Sequence, residues 1–367
     1  MLNGQEIIDA DAHIREPLDM LDVWLEPKYR ERGPKIMPGG SGRVYGFGDE
    51  RLPMTAAEVK RTSDPNRPPS KYKESAETNF DGPSQLKAMD SFGVDVAFLY
   101  PTAGLYLWFF KTMDAEMGAA VVRAYNNWIH DFSQADPRRL RPVGALDLRD
   151  PAGAVEEARR ISKLGFRGVY IRPNPLNGRL LSSPDYEPLW AECEALDMSI
   201  GVHEGSPSPL TATGVDRFET YFGRHATSHP MEQMLAFLTL VEGLVFERHP
   251  KLRFAFLESG SGWLPFWLWR CDGEYKTRIK SVGDTIKLKP SEYFRRQCFI
   301  GCEPDEPFLQ GVIEHVGEDK LLFASDYPHE DHGPEIMDEL KALGDKISKD
   351  AFRKLISDNP KAYYGMN

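Results

Sequence analysis

Short apolar segments alternate with helical segments along most of the chain, and this alternation constrains the fold more than any other feature. Each apolar segment has the length and composition of a buried strand, and helical patterns separate nearly all of them. Apolar parallel strands in this number predict a closed (β/α)8 TIM barrel, and a doubly wound sheet is the alternative. The eight predicted strands lie at 5–9, 94–100, 141–146, 167–171, 198–203, 252–257, 297–301 and 321–326.

Glycine and proline mark where several of the predicted helices begin and end. Gly93 follows the predicted helix 85–92, at the position where glycine commonly ends a helix. Pro151 occupies the first position of a predicted helix that runs to residue 164, and proline is favoured there. A long helix is predicted over 231–248, and it stops at His249 and Pro250 before the next strand.

A long insertion is predicted at about 27–83, between the first and second strands. The segment is rich in proline, glycine and charged residues and has little apolar periodicity, so a disordered linker is the alternative. Its aromatic residues, among them Tyr29, Tyr45, Phe47 and Tyr72, give it surface to pack against a barrel. We expect one domain over 1–367 in which this insertion covers the active-site mouth.

The composition limits the partners of the chain. A net charge of −11 disfavours nucleic acid and anionic membranes, which would repel it. No apolar run approaches the roughly 20 residues that span a bilayer, and residues 1–5 lack the pattern of a signal peptide. The four widely spaced cysteines predict reduced, buried thiols. We therefore expect a cytoplasmic protein with a small-molecule substrate, assembled as a homo-oligomer or as a hetero-oligomer with related barrel subunits.

Side chains suited to binding a metal follow four of the eight predicted strands. The carboxyl ends of barrel strands converge on one face of the fold, so these side chains are expected to meet there. Imidazole and carboxylate together suit Zn²⁺, Mn²⁺ or Fe²⁺. The sequence therefore predicts a divalent metal site. The residues are Asp11 and His13 after the first strand, His203 and Glu204 after the fifth, Glu258 after the sixth and Asp326 after the eighth.

Further histidines lie near the same strand ends. His225 and His229 precede the sixth strand, and His329 and His332 follow the eighth. We expect His229 and His329 to join the metal ligands, and Asp326 either to hold the metal or to accept a proton from bound water. The remaining histidines fall in helical or turn positions and are expected to be structural: His130, His249 and His315.

The segments that carry these residues resemble the amidohydrolase-2 branch of the amidohydrolase superfamily, which includes aminocarboxymuconate-semialdehyde decarboxylase and related aromatic-acid decarboxylases. The resemblance covers nearly the whole chain and implies a (β/α)8 barrel with a divalent metal. It assigns the metal ligands to Asp11, His13, His203 and Asp326. The segments are 9–17 (DADAHIREP), 201–204 (GVHE), 256–260 (FLESG) and 323–329 (FASDYPH).

Two positions depart from the pattern of that branch. Its decarboxylases commonly end strand six with a histidine that acts on the metal-bound water, whereas this chain has Glu258. Two-metal hydrolases of the superfamily use a carboxylated lysine on strand four, where this chain has Arg172. Arginine suits a substrate carboxylate, so we expect Arg172 to bind substrate. Tyr100, in the aromatic segment 100–110, is expected to contribute to the same site.

The expected activity is metal-dependent cleavage of a C–N or C–C bond in a small carboxylated or cyclic substrate, by a hydrolase or a non-oxidative decarboxylase. Asp326, Glu258 and His229 are the expected catalytic residues. One ion suffices for these reactions, but three carboxylates around it would leave excess negative charge, which a second ion bridged by Glu258 would relieve.

Two other functions remain open from the sequence. A few proteins that resemble this branch are iron- or manganese-dependent oxygenases, among them an amine N-hydroxylase. The resemblance therefore also implies a dinuclear iron or iron/manganese oxygenase as an alternative. The second alternative is a non-catalytic partner subunit of a hetero-oligomer.

Overall fold

The strands form the barrel that the sequence predicted. The structure is a computed structural model, and it describes residues 4–39, 42–52, 71–206, 208–281, 285–329, 333 and 335–366. One parallel sheet has the order β1-β5-β6 and the other β12-β11-β10-β9-β8-β7, while β2-β3-β4 form a small antiparallel sheet. The strands are β1 (Ile8–His13), β2 (Lys35–Gly39), β3 (Gly42–Phe47), β4 (Glu50–Arg51), β5 (Val96–Tyr100), β6 (Leu140–Pro142), β7 (Gly144–Ala145), β8 (Gly168–Ile171), β9 (Ser199–His203), β10 (Phe254–Leu257), β11 (Cys298–Cys302) and β12 (Leu321–Phe323).

Backbone hydrogen bonds at two seams join the parallel sheets into a closed (β/α)8 barrel. Val143 separates β6 from β7, so the single strand predicted at 141–146 pairs with β5 at its start and with β8 at its end. At the other seam, Asp326 N donates to Asp11 O at 3.1 Å and His13 N donates to Tyr327 O at 2.6 Å. The residues that the sequence marked as metal ligands therefore also close the barrel.

Helices follow most barrel strands and pack their apolar sides on the barrel, as expected for this fold. The α-helices are Met20–Trp24, Pro27–Arg30, Lys73–Glu77, Gly82–Phe92, Ala115–Ser133, Pro151–Lys163, Glu187–Ala195, Tyr221–Glu242, Val245–Arg248, Trp263–Arg278, Pro290–Gln297, Leu309–Val316, Ile336–Gly344, Lys349–Arg353 and Asn359–Tyr364. Short 3-10 turns lie at Ala103–Leu105, Pro184–Tyr186 and Ile279–Ser281, and a π-helical turn at Lys354–Asp358.

The helix predicted over 231–248 begins ten residues earlier than expected and ends sooner. It runs over Tyr221–Glu242 and contains Pro230 in its interior. The sequence prediction began after Pro230, and proline is uncommon in the interior of a helix because it removes a backbone donor. At the other end, Leu244 adopts a left-handed backbone with φ of 61°, which separates the short helix Val245–Arg248.

Strand β1 extends further toward its carboxyl end than the predicted 5–9. Its polar residues can be buried there, because they form hydrogen bonds with the loop after β12. Asp9 accepts hydrogen bonds from the Asp11 and Ser325 backbone N–H groups, at 3.2 and 3.1 Å, and from the Ser325 hydroxyl. The Ser325 hydroxyl oxygen in turn accepts from Tyr327 N at 3.1 Å. Asp9 and Ser325 thus fix the start of the loop that carries Asp326.

Ser325→Ala is expected to lower the free energy of unfolding by about 1–3 kcal/mol, because it leaves the buried Asp9 carboxylate with one donor fewer. Ser91→Ala is the matched control, since Ser91 is exposed and its hydroxyl contacts only a carbonyl of its own helix. Urea unfolding followed by circular dichroism measures both. Equal midpoints for the two variants would show that the Asp9–Ser325 contact does not hold this seam.

The described parts of the predicted insertion 27–83 pack on loops at the carboxyl ends of barrel strands. The Glu50 carboxylate accepts hydrogen bonds from Lys111 N and Thr112 N, both at 3.1 Å. The Tyr72 ring lies edge-on to Tyr327 with 4.6 Å between ring centroids. Residues 53–70 of the predicted insertion lie outside the described residues.

The four cysteines are free and buried, as the sequence predicted. No helix in the described part of the chain has both the length and the apolar character needed to cross a bilayer.

Candidate metal centre

Asp11, His13 and His203 lie together at the floor of the barrel mouth, where β1 and β9 end. Their side chains are at most 2% exposed. The two imidazole Nε2 atoms are 3.2 Å apart, and Asp11 Oδ1 lies 3.7 Å from His13 Nε2 and 3.6 Å from His203 Nε2. Asp11 and His13 are two residues apart on β1, and side chains at this spacing along a strand point to the same side.

The hydrogen bonds on the far side of each ring fix which nitrogen faces this centre. His13 Nδ1 donates to Pro101 O at 2.8 Å, and His203 Nδ1 donates to Glu204 O at 2.5 Å. Burial lowers the pKa of both histidines well below the ordinary value, so each ring is neutral. Both Nε2 atoms therefore present lone pairs to the same point, which is the arrangement of metal-binding histidines.

These donor atoms fit a divalent cation. Two lone pairs 3.2 Å apart repel each other unless a cation lies between them. Asp11 Oδ1 is buried without a hydrogen-bond partner among the described residues. Burial, and then the charges of Asp326 and Asp9, raise the pKa of Asp11, and a bound cation would remove this cost.

Asp326 approaches the same point from the loop after β12. Its Oδ1 atom lies 3.4 Å from His13 Nε2 and 2.6 Å from His329 Nδ1. The His329 ring lies over the His13 ring with 4.1 Å between centroids, and its Nε2 is 2.9 Å from the Thr102 hydroxyl. The structure thus brings Asp326 and His329 to the predicted centre.

Glu258 lies on the other side of the centre, between His203 and the helix Tyr221–Glu242. Its Oε2 atom is 3.3 Å from His203 Nε2. Its Oε1 atom is 3.6 Å from His229 Nε2 and 3.8 Å from His225 Nε2. Predicted residues Glu258 and His229 therefore both reach the site, and His225 lies beside them. His332 lies outside the described residues.

Arg172 is held in a buried ion pair instead of facing the centre with free donors. Its guanidinium is 2.7 Å from Glu204 Oε1 and donates to the backbone oxygens of Leu105 and Gly205 and to the Asn174 side chain. Four of the five N–H groups of the guanidinium are engaged in these bonds. These partners leave the guanidinium few donors for a ligand, so the structure gives no support to the substrate-binding role of Arg172, which stays a prediction.

Arg172→Leu is expected to lower the free energy of unfolding by about 3–5 kcal/mol, since it leaves the buried Glu204 carboxylate without its counter-charge. Replacing both residues, in Arg172→Leu with Glu204→Leu, should recover part of the loss. Arg138→Leu is the control, because that side chain is 91% exposed. If Arg172→Leu instead kept the stability of the parent and raised KM alone, the predicted substrate-binding role would be supported.

Tyr100 lies below the two imidazoles, not at the mouth. Its ring stacks against His203 with 5.6 Å between centroids, and the residue is fully buried. Its hydroxyl is 2.9 Å from the Tyr364 hydroxyl, which itself donates to Ala10 O at 2.8 Å. Tyr100 therefore supports the ligands from beneath, and its buried position gives no support to the substrate contact predicted for it.

Sequence reasoning missed several residues that hold the site in place. The buried Glu16 carboxylate accepts from the backbone N–H groups of Thr102, Ala103 and Gly104, at 3.3, 2.8 and 2.8 Å. Gln233 donates to Val202 O and Leu257 O, at 2.7 and 3.0 Å, directly before His203 and Glu258. These contacts join residues far apart in the sequence, so no local sequence pattern indicates them. Only Glu16 lies in a segment that carries the family resemblance, residues 9–17.

Comparison with known proteins supports the fold and the family. The family model "Amidohydrolase" matches residues 8–366. The 2-amino-3-carboxymuconate-6-semialdehyde decarboxylase of Dictyostelium discoideum is 26% identical over 245 residues, which cover 66% of each protein and thus just under two thirds of the relative's length. The γ-resorcylate decarboxylase of Rhizobium sp. (strain MTP-10005) is 26% identical over 67% of this chain and 76% of its own.

A solved structure shows the same fold along nearly the whole chain. The 5-carboxyvanillate decarboxylase of Novosphingobium aromaticivorans, complexed with manganese and 4-hydroxy-3-methoxy-5-nitrobenzoic acid, superposes with a TM-score of 0.73. It is 18% identical, and the match covers 99% of this chain and 97% of that one. The family model matches residues 8–366, and the strand ends of the barrel carry the expected types of metal ligand. The chain therefore belongs to the amidohydrolase family of enzymes.

Proposed function

We propose that this protein is a metal-dependent carboxy-lyase that removes a carboxylate from a small aromatic acid without an oxidant. The observation that carries the proposal is the meeting of four donor groups at one point. The Nε2 lone pairs of His13 and His203 face this point, and the Asp11 and Asp326 carboxylates approach it. The relatives support the reaction class, because both curated relatives are decarboxylases and the solved structure holds a substituted benzoic acid. They give no support to the oxygenase alternative.

Asp11, His13, His203 and Asp326 would hold the ion. Manganese, which is present in the related structure, accepts this mixture of imidazole and carboxylate ligands, and zinc or iron suits it as well. A bound divalent ion supplies a Lewis acid that anchors and polarises the oxygen atoms of the substrate. Glu204 O and Pro101 O orient the two histidines for this task.

Asp326 and His329 hold one proton between them, which is the proton that the reaction needs. The Thr102 hydroxyl donates to Ile14 O at 2.6 Å, so its oxygen must accept from His329 Nε2. With Nε2 protonated, the 2.6 Å contact between His329 Nδ1 and Asp326 Oδ1 requires one further proton on either of the two atoms. Either position leaves this pair able to pass a proton to the substrate.

Loss of carbon dioxide balances with this single proton. The bond between the ring carbon and the carboxyl carbon breaks, carbon dioxide leaves, and the electron pair stays on the ring carbon until it takes the proton from the Asp326–His329 pair. The substrate anion and one proton thus give a neutral ring product and carbon dioxide. No electron acceptor enters the equation, and solvent restores the proton to the pair.

The differences in side-chain exposure support one direction of substrate entry. Asp326 is 8%, Glu258 13% and His329 15% exposed, whereas His13 and His203 have no exposed side-chain surface. A ligand entering from the exposed side meets these three residues before it reaches the His13 and His203 nitrogens at the bottom. The described parts of the insertion 27–83 pack on the loops at 100–112 and after β12, which supports a role for the insertion in covering this mouth and excluding water.

A panel of small substrates tests the reaction class. Manganese-loaded protein should release carbon dioxide from at least one hydroxylated benzoic acid, and it should leave aryl amides and lactones intact. Carbon dioxide release and substrate loss are measured together and should agree one to one. Hydrolysis of the amides or lactones without carbon dioxide release would instead support the hydrolase alternative.

A further inference from the structure

We infer a second divalent-cation site, formed by His225, His229 and Glu258, beside the ion held by Asp11, His13 and His203, with the Glu258 carboxylate bridging the two. His225, His229 and Glu258 offer one ligand atom each, and these atoms all lie within 4.8 Å of one another. The reaction proposed above needs only the first ion. The second site therefore goes beyond that function and can be tested without turnover.

Glu258 faces both groups of ligands with different oxygen atoms. Oε2 lies 3.3 Å from His203 Nε2, on the side of the first group. Oε1 lies 3.6 Å from His229 Nε2 and 3.8 Å from His225 Nε2, on the other side. A carboxylate placed in this way has the orientation of a bridging ligand between two neighbouring cations.

The separations fit ligands of a common ion better than hydrogen-bonded partners. N–H···O hydrogen bonds span about 2.7–3.2 Å, so the contacts of Oε1 with the two histidines are too long. Ligands about 2.1 Å from one ion stand about 3.0–3.4 Å apart in octahedral or tetrahedral geometry. Small side-chain movements would bring the two nitrogens and Oε1 to that spacing.

The helix Tyr221–Glu242 presents the two histidines as a pair. Residues four apart lie on the same helical face, and the rings of His225 and His229 stack with 4.0 Å between centroids. Pro230 directly follows His229 and removes the backbone donor that would bond to the carbonyl of Ala226. The helix is therefore irregular at the point where His229 enters the site, and His229 is buried there with 4% of its side chain exposed.

The backbone of Glu258 is also held in an uncommon conformation. Its φ angle is 45°, in the left-handed region that a residue other than glycine adopts at a cost of about 1–3 kcal/mol. At this angle the chain turns sharply after β10, and the side chain is directed back over the strand end between His203 and His229. Residues held in such conformations cluster at functional sites.

The charge of the whole cluster accommodates two cations. Asp11, Asp326 and Glu258 contribute three carboxylates, each with a ligand atom within 4.8 Å of a His13 nitrogen. With the proton shared by Asp326 and His329, one divalent cation leaves this cluster without net charge. A second cation gives it two excess positive charges, which attract a substrate carboxylate.

Metal stoichiometry tests the second site directly. The full-length protein is loaded with Mn²⁺, passed over a desalting column and measured by elemental mass spectrometry against the protein concentration. We expect about two manganese ions per chain in the parent protein and about one in the double variant His225→Gln with His229→Gln. His315→Gln, at an exposed helical position, is the control and should retain both ions.

Electron paramagnetic resonance of the same samples provides a second measurement. Two ions that share the Glu258 carboxylate should give a broadened, exchange-coupled manganese spectrum, and the double variant should give the six-line spectrum of an isolated ion. His225→Gln alone guards against misfolding, because 26% of its side chain is exposed, and it too should lose the coupled signal. One ion per chain in the parent protein, or two ions and a coupled spectrum that persist in the variants, would overturn the inference.

Discussion

Asp326→Asn is expected to lower kcat by about 10²- to 10⁴-fold at saturating manganese, which is the usual contribution of a positioned proton donor or acceptor. Asparagine tolerates the left-handed backbone at this position, where φ is 55°, so the loop after β12 should keep its shape. The amide cannot exchange a proton with His329 Nδ1 across the 2.6 Å contact. The manganese-loaded variant should therefore lose most of its turnover while its melting temperature stays close to that of the parent protein.

Asp345→Asn is the control for this variant, because Asp345 is exposed at the end of the helix Ile336–Gly344. Steady-state kinetics and thermal unfolding of the two proteins are compared at the same manganese concentration. Turnover within twofold of the parent in Asp326→Asn would remove Asp326 from the proton transfer and contradict the role given to the Asp326–His329 pair.

Removal of divalent ions with a chelator is expected to abolish turnover and to lower the melting temperature. Without a cation, the His13 and His203 nitrogens face each other at 3.2 Å, and Asp11 Oδ1 stays buried without a partner among the described residues. An ion present at 100 times its dissociation constant contributes about 2.7 kcal/mol to the stability of the folded state. Scanning calorimetry before and after chelation measures this loss.

Manganese returned after chelation should restore both the melting temperature and turnover, whereas magnesium should restore neither. Mg²⁺ prefers oxygen ligands and retains its water, so the two imidazoles suit it poorly. Unchanged turnover and an unchanged melting temperature in the chelated protein would show that the cluster of Asp11, His13 and His203 holds no functional ion.

The barrel could be predicted from sequence because its determinants are local. Each strand is a short apolar run, and glycine at positions such as Gly93, where φ is 79°, ends the preceding helix. Once the barrel is assumed, its geometry alone sends the residues after each strand to one face. Asp11, His13, His203 and Asp326 could therefore be grouped without any contact being known.

Long-range partners could not be predicted in the same way. Arg172 was predicted to bind a substrate carboxylate, because nothing nearby in sequence indicates that Glu204 pairs with it at 2.7 Å. Tyr100 ends its strand, but its side chain points below the ligands to Tyr364, which lies 264 residues later. Local periodicity tells which residues are buried, not which buried polar groups meet.

The helix that carries His225 and His229 shows a different limit. Pro230 is a strong signal for a helix start, and here it lies inside the helix Tyr221–Glu242. Tertiary packing outweighs the local cost of about 3 kcal/mol for an interior proline. The sequence predicted His229 as a metal ligand but gave His225 no role, and the structure places both on one helix beside Glu258.

Decarboxylation in deuterated water under argon tests the central claim most directly. A substrate identified in the panel, labelled with ¹³C in its carboxyl group, is incubated with the manganese-loaded protein. The account predicts one ¹³C-labelled carbon dioxide per substrate consumed, one deuterium at the carbon that carried the carboxylate, and the same rate with and without oxygen. A requirement for oxygen, or a product that retains the labelled carboxylate, would contradict it.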